Sequence, residues 1–115
     1  MTKETAEVKE KSKLEQSIRS CISHEYGVGK HQNQEKIYGA ICPHAGYMYS
    51  GPVATHSFDN IANQDFELAV ILGPNHLGIG CNIATMKDCT WETPLGEIDV
   101  DSDAANQINE ISKII

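Results

Sequence analysis

The chain has 115 residues, of which 40% are apolar and 22% charged; this suits one small folded domain and argues against disorder throughout. Its formal net charge is -7, and the acidic excess lies after residue 36, where two Lys/Arg stand against ten Asp/Glu. Nucleic acid and anionic membranes both need clustered cations on a binding protein. The composition therefore excludes the usual basic surface for either partner.

The opening segment and the cysteines indicate a cellular compartment. The first thirteen residues, MTKETAEVKEKSK, are charged throughout and do not resemble an export signal. No apolar run approaches the ~20 residues that span a bilayer. The four cysteines lack C-x-x-C spacing, so we expect reduced thiols in a cytoplasmic protein. We assign one domain over residues 1–115, with a disordered tail at 1–6.

The first predicted element is an amphipathic helix from about Glu7 to His24. Apolar residues recur there at helical spacing: Leu14, Ile18, Cys21 and Ile22. Gly27 and Gly29 follow directly and can supply a left-handed helix stop. The polar stretch 30–36 is predicted to be a surface loop.

Two short apolar runs then flank a second helix. Residues 37–42 (IYGAIC) and 68–72 (LAVIL) are too short for helices and end at Pro or Gly-Pro, which predicts buried strands. Between them, Ser50 or Gly51 as the cap and Pro52 in the first turn predict a helix to about Asn63. Strand–helix–strand units join parallel strands, so the predicted fold class is α/β with a parallel βαβ core and helices on the sheet.

The last third of the chain predicts a β-hairpin and a third helix. Thr93-Pro94-Leu95-Gly96 offers turn residues between a β-like stretch, 81–86, and a strand at 97–100. Asp101 or Ser102 can cap a helix with an isoleucine-rich face. Such a thin sheet would normally be covered by further elements. We therefore expect that the chain is truncated or that it depends on a partner.

Two histidines follow the two predicted strands. His44 comes after the first and His76 after the second, and ligands of open α/β sheets bind beyond the carboxyl ends of their strands. Adjacent parallel strands lie ~4.8 Å apart, so both imidazoles can point into one crevice. They could hold iron, copper, zinc or nickel, or act as general acid and base. Taken singly, each is better explained as a loop residue bonded to backbone; their pairing at equivalent strand ends makes the two interpretations about even.

The loops around these histidines contain further candidates for a pocket. Gly46 and Gly73 relax steric limits where the chain turns sharply. Asn75 could bond a ligand or hold the turn, and Tyr47 could line the pocket or simply pack. No nucleotide-binding loop, nucleophile elbow or zinc-protease motif is present.

Four blocks of this sequence resemble the MEMO family, in the same order. In chain order, they are His24-Glu25-Tyr26-Gly27 with Gly29, Pro43-His44-Ala45-Gly46-Tyr47 with Ser50-Gly51, Ile71-Leu72-Gly73-Pro74-Asn75-His76, and Trp91-Glu92-Thr93-Pro94-Leu95-Gly96. The resemblance covers roughly residues 14–110. It implies an α/β fold similar to class III extradiol dioxygenases, and an iron or copper site with two histidines and a cysteine as ligands. His44 and His76 match the two histidines.

The resemblance places the family's cysteine ligand in a carboxyl-terminal half that this sequence does not contain. Three hypotheses follow. The chain is a metal-binding MEMO-like protein with oxidative chemistry on dioxygen or a small molecule, for which ring cleavage is disfavoured by the cysteine. Alternatively it is a non-catalytic adaptor, although its few cations offer little for phosphate. In the third hypothesis it is an incomplete fragment, inactive without the missing half or a partner chain.

Overall fold

Three helices and a β-hairpin form the regular structure, in a computed structural model that describes residues 3–30, 36–81 and 83–112. The elements are α1 (Lys3–Ser23), α2 (Tyr47–Ala62), β1 (Thr90–Thr93), β2 (Gly96–Asp99) and α3 (Ser102–Ile111). They divide between two units: unit 1, Met1–Asp65, contains α1 and α2, and unit 2, Phe66–Ile115, contains the hairpin and α3. Of the predicted tail 1–6, residues 1 and 2 lie outside the described residues.

The predicted first helix is present, although it begins earlier than expected. α1 starts at Lys3 rather than near Glu7 and ends at Ser23. Gly29 has a φ of +66°, and its amide donates to the Ile22 carbonyl at 3.0 Å. A left-handed residue favours glycine, so Gly29 suits this turn, but it lies six residues beyond Ser23 and is not the helix stop that was predicted. Most of the predicted loop 30–36 lies outside the described residues.

The second helix also begins before its predicted cap. α2 starts at Tyr47, with Gly46 as N-cap, rather than at Ser50 or Gly51. The Gly46 carbonyl accepts from the amides of Tyr49 and Ser50 at 2.9 and 3.2 Å, and these bonds close the first turn. Pro52 therefore falls inside the helix, in its second turn, where it removes one backbone donor.

α1 and α2 pack through small residues of α2 rather than through its large apolar side chains. The buried residues of α2 are Gly51 and Thr55, whereas Phe58 is 57% exposed. A Cβ added at Gly51 would lie 2.5 Å from Cys21 Sγ. That Sγ donates weakly to the Tyr47 carbonyl at 3.7 Å. Glycine therefore suits this crossing, because a side chain there would meet Cys21 Sγ.

Two polar contacts fasten the turn after α1 to the middle of α2. The Val28 amide donates to Thr55 Oγ1 at 2.9 Å, and that hydroxyl donates to the Pro52 carbonyl at 2.6 Å. His56 Nε2 lies 3.2 Å from the Tyr26 carbonyl. The buried Thr55 hydroxyl is therefore satisfied in both directions, as buried polar groups require.

The two predicted buried strands are irregular and exposed in this structure. Neither 37–42 nor 68–72 is a strand, and Ile41 and Leu72 are 97% and 93% exposed. The Ile37 amide and the Ile41 carbonyl bond to side chains of Gln64 and Ser57 instead of to a strand. A strand needs backbone partners on its edges and apolar cover on its faces. Among the described residues, neither segment has the strand partners or the apolar cover that a sheet would provide. The prediction that these two segments are buried strands is therefore wrong for this structure.

The predicted β-hairpin is confirmed, with a different first strand. β1 is Thr90–Thr93 rather than a strand at 81–86, and it pairs antiparallel with β2 around Pro94 and Leu95. The register sets Trp91 opposite Ile98 and Glu92 opposite Glu97. This antiparallel pair is the sheet of the described residues, so the fold is mixed helix and strand.

α3 follows the hairpin and is capped as predicted. The Asp101 side chain accepts from the Ala104 amide at 2.8 Å, and Asp101 is the N-cap. Ser102 Oγ lies 3.2 Å from the Lys87 carbonyl and 3.0 Å from Asp88 Oδ1. These contacts fasten the start of α3 to the segment that enters the hairpin.

Little apolar surface is buried in the described ranges. Cys21 and Ala105 are the buried apolar residues there, while more than twenty large apolar side chains are exposed. No described helix has both the length and the apolar character needed to cross a membrane. The described helices and hairpin are consequently held more by hydrogen bonds and close backbone contacts than by a continuous apolar core.

Candidate functional site

His44 lies in unit 1, on the exposed turn that leads into α2. The neighbouring Ala45 carbonyl accepts from Ser50 Oγ at 3.1 Å, and Gly46 caps the helix directly after it. The imidazole is therefore carried by a short connection whose far end is fixed to the first turn of α2. Exposure leaves it accessible to a ligand from solution.

His76 lies in unit 2, on an exposed loop that the preceding residue organises. Asn75 Oδ1 accepts from the Gly78 amide at 2.9 Å, and its Nδ2 lies 3.4 Å from the Ile79 carbonyl and 3.5 Å from that of Cys81. Gly78 has a φ of +61°, which favours glycine. Asn75, left open in sequence as a ligand-binding or a turn-holding residue, thus has its amide engaged with the loop backbone.

The other predicted pocket residues lie beside one histidine or the other. Tyr47 is the first residue of α2 and lines an open depression of about 500 Å³ between α1 and the start of α2. His44 is not among the residues that line it. A Cβ at Gly46 would meet only an ordinary contact at 3.7 Å, and one at Gly73 would meet nothing within 4 Å. Local crowding therefore does not require glycine at either position.

Two of the histidines outside the predicted site, His24 and His56, bond to backbone atoms of unit 1. His24 Nδ1 accepts from the Tyr26 amide at 3.1 Å, and its ring lies 5.5 Å from that of Tyr26. His56 bonds to the Tyr26 carbonyl. His31 lies outside the described residues. All four cysteines are described, and each is a free thiol.

Three residues near His44 were not predicted from the sequence: Ser50, Ser57 and Gln64. Each bonds to the backbone of the segment that ends at Ala45. Their only signal in the sequence is their spacing, since they recur every seven residues along the predicted second helix. Polar residues at that spacing are typical of a solvated face, and only Ser50 was singled out, as a possible helix cap.

The donor types in this chain suit a transition metal, but a complete ligand set is not assembled. Imidazole binds iron, copper, zinc and nickel, and His44 and His76 supply two such donors. Catalytic sites of this kind usually have three protein ligands. Among residues 3–30, 36–81 and 83–112, no group of three or more His, Cys, Asp or Glu is placed to hold a metal ion. Two donors alone do not make a closed site.

The motifs that surround His44 and His76 are those of a known family. The family described as "Memo-like protein" matches residues 6–115. The chain is also 55% identical, over 106 residues, to a MEMO1 family protein of Nitrosopumilus maritimus, with 91% of this chain and 38% of that protein covered. A MEMO1 family protein of Pyrobaculum arsenaticum is 47% identical over 103 residues, covering 86% of this chain and 37% of the relative. This chain belongs to the MEMO family.

The match covers only part of the relatives. The chain spans about 38% of the length of the Nitrosopumilus protein and about 40% of a MEMO1 family protein of Aeropyrum pernix, to which it is 39% identical. No solved structure matches the chain. Membership of the family is therefore established from sequence, and most of the relatives' length has no counterpart in this chain.

Proposed function

We propose that this chain carries two ligands, His44 and His76, of an iron or copper site whose remaining ligand comes from polypeptide outside the chain. The observation that carries the proposal is that both histidines lie within the residues matched to the MEMO family. Both are exposed, each at the start of a loop that follows an apolar segment. Iron or copper, once bound by a full set, would supply one-electron redox chemistry for dioxygen or a small molecule.

The same reasoning extends to the fold. The segments 37–42 and 68–72 are apolar and exposed, which is costly unless something covers them. The relatives are more than twice as long as this chain, so they have additional polypeptide that can provide that cover. We infer that these segments become parallel strands of a dioxygenase-like sheet when the remaining elements pack on them. That rearrangement would bring the two strand ends, and with them the two histidines, to one edge.

Metal binding by the chain itself is the first test. The purified, reduced chain is loaded anaerobically with Fe(II), and bound iron per chain is measured by elemental analysis. Fe(II) is preferred to Cu(I) because four free thiols would bind cuprous copper whatever the histidines do. The test variant is His44→Gln/His76→Gln, and the matched control is His24→Gln/His56→Gln, which also removes two imidazoles.

Iron bound by the native chain and the control, and lost only from the test variant, would support the paired-histidine site. Equal binding in all three would refute it, because the metal would then sit elsewhere. Binding in none would favour the second candidate, a fragment that is inactive alone, which the missing third ligand among the described residues also favours.

That second candidate has its own test, complementation. The part of the Nitrosopumilus relative that lies outside the match supplies the missing polypeptide. We expect the mixture to gain strand content by circular dichroism and to bind iron through His44 and His76. A mixture whose spectrum equals the sum of its parts would refute the proposal that the two pieces complete one fold.

A further inference from the structure

Two side chains of α2 and one just beyond its end bond to the segment that carries His44. Ser50 Oγ donates to the Ala45 carbonyl at 3.1 Å, and Ser57 Oγ donates to the Ile41 carbonyl at 3.1 Å. At the far end, Gln64 Oε1 accepts from the Ile37 amide at 3.3 Å. We call these three contacts the polar seam. It runs along the whole of α2, from its first turn to just past its last.

The spacing of the seam explains why the segment lies along the helix. Seven residues separate Ser50 from Ser57, and seven more separate Ser57 from Gln64. Seven residues advance a helix by about 10.5 Å and return to nearly the same face, about 20° away. The partners on the segment are four residues apart, which spans at most about 13 Å of extended chain. Two segments with such similar repeats can remain in contact over their full length, running in opposite directions.

The contacts are specific to backbone atoms, so they fix the position of the segment and not of one side chain. Ser57 is the central contact, with one bonded residue of the segment on either side of its partner. Losing it would remove the middle one of these three contacts. His44 lies at one end of the stretch between Ile37 and Ala45.

We propose that Ser57 is a positioning residue for His44 in this chain on its own: before other elements pack on residues 37–42, its hydroxyl ties the His44 segment to α2 and so holds the backbone that carries the imidazole. The proposal deepens the metal site proposed above and, for its effect on metal affinity, rests on it. The role of Ser57 is carried entirely by the bond to the Ile41 carbonyl.

The test compares Ser57→Ala, which removes the hydroxyl, with Ser57→Thr, which retains it. Backbone ¹⁵N relaxation of the full chain gives order parameters for residues 40–45. A rigid backbone has an order parameter of about 0.85 and a flexible one falls below about 0.6. We expect values near the rigid end in the native chain and in Ser57→Thr, and a fall toward the flexible end in Ser57→Ala.

Two further readouts separate positioning from general loss of structure. Alanine is the better helix former, so the helix content of Ser57→Ala should equal or exceed that of the native chain. Fe(II) affinity should fall about tenfold in Ser57→Ala, as when the outer partner of a metal ligand is removed, and return in Ser57→Thr.

The outcomes distinguish this proposal from the metal site. Unchanged order parameters in Ser57→Ala, or a segment already flexible in the native chain, would overturn the positioning role. So would a Ser57→Thr chain that behaves like Ser57→Ala. A native chain that binds no iron would overturn the metal site, and the order parameters would still decide whether Ser57 holds the His44 segment.

Discussion

The crossing of α1 and α2 predicts a specific coupling between Gly51 and Cys21. Replacing Gly51 with alanine places a Cβ 2.5 Å from Cys21 Sγ, well inside van der Waals contact. Sγ has one rotatable bond, so it must leave its rotamer and its contact with the Tyr47 carbonyl, or the helices must separate. Overpacking of this kind costs about 1–3 kcal/mol.

Helix propensity acts in the opposite direction at the same position. Alanine is favoured over glycine inside a helix by about 1 kcal/mol. The net effect of Gly51→Ala should therefore be a loss of about 1 kcal/mol in the free energy of unfolding. In a Cys21→Ala chain the clash is gone, and Gly51→Ala should become stabilising by up to about 1 kcal/mol. The sign of the substitution thus depends on the residue opposite.

A double-mutant cycle measures this dependence. The four chains are unfolded in urea and followed by far-ultraviolet circular dichroism, which reports the helices. The coupling energy between the two positions should be about 1–3 kcal/mol. A coupling below about 0.5 kcal/mol would refute the reasoning, since independent sites add to within that amount. Gly51→Ala would then act through helix propensity alone.

Three other contacts give predictions of their own. Thr55→Val should destabilise unit 1 by about 1–3 kcal/mol in the same urea assay, because it strands the Val28 amide, whereas Thr55→Ser should retain most of the stability. Asp101→Ala should cost α3 about 1 kcal/mol, seen as lower helix content, and Asp101→Asn should be nearly neutral; equal losses would exclude capping as the cause. Glu97→Lys should stabilise the hairpin by about 0.2–1 kcal/mol, because it replaces a like-charge pair with Glu92. Added salt should reduce that gain in hairpin stability. The intensity of cross-strand NMR contacts measures how much hairpin is formed in each case.

Features fixed by neighbouring residues could be predicted from the sequence. The Asp101 cap and the Pro94-Leu95 turn each depend on contacts within a few residues. The start of α2 shows the limit of such signals. Ser50, Gly51 and Pro52 all favour a helix start, yet the Gly46 carbonyl closes an earlier turn.

Features that depend on distant cover could not be predicted in the same way. The apolar composition of 37–42 and 68–72 indicates what these segments do when other elements pack on them. It does not indicate whether those elements are present. In this structure Ser57 and Gln64 bond to the first segment instead. An apolar run therefore predicts a capacity for burial rather than burial itself.

The candidate site divides along the same line. His44 and His76 were chosen from local motifs that lie within the family match, and their role as ligands stays a prediction. Their convergence on one crevice requires a complete sheet and stays a prediction. Ser57 and Gln64 were missed because a polar residue on or beside a helix has no local feature that separates a backbone contact from a solvated face.

The exposed apolar side chains also determine how the chain behaves as a colloid. Apolar patches attract one another in concentrated solution, and only mutual charge repulsion keeps such molecules apart. Residues 37–115 supply that repulsion, with ten acidic side chains against two basic ones. The sequence pI is about 5.1, so mild acidification removes the net charge while the patches remain. Handling near that pH, or at high salt, should make this chain precipitate well before its helices unfold.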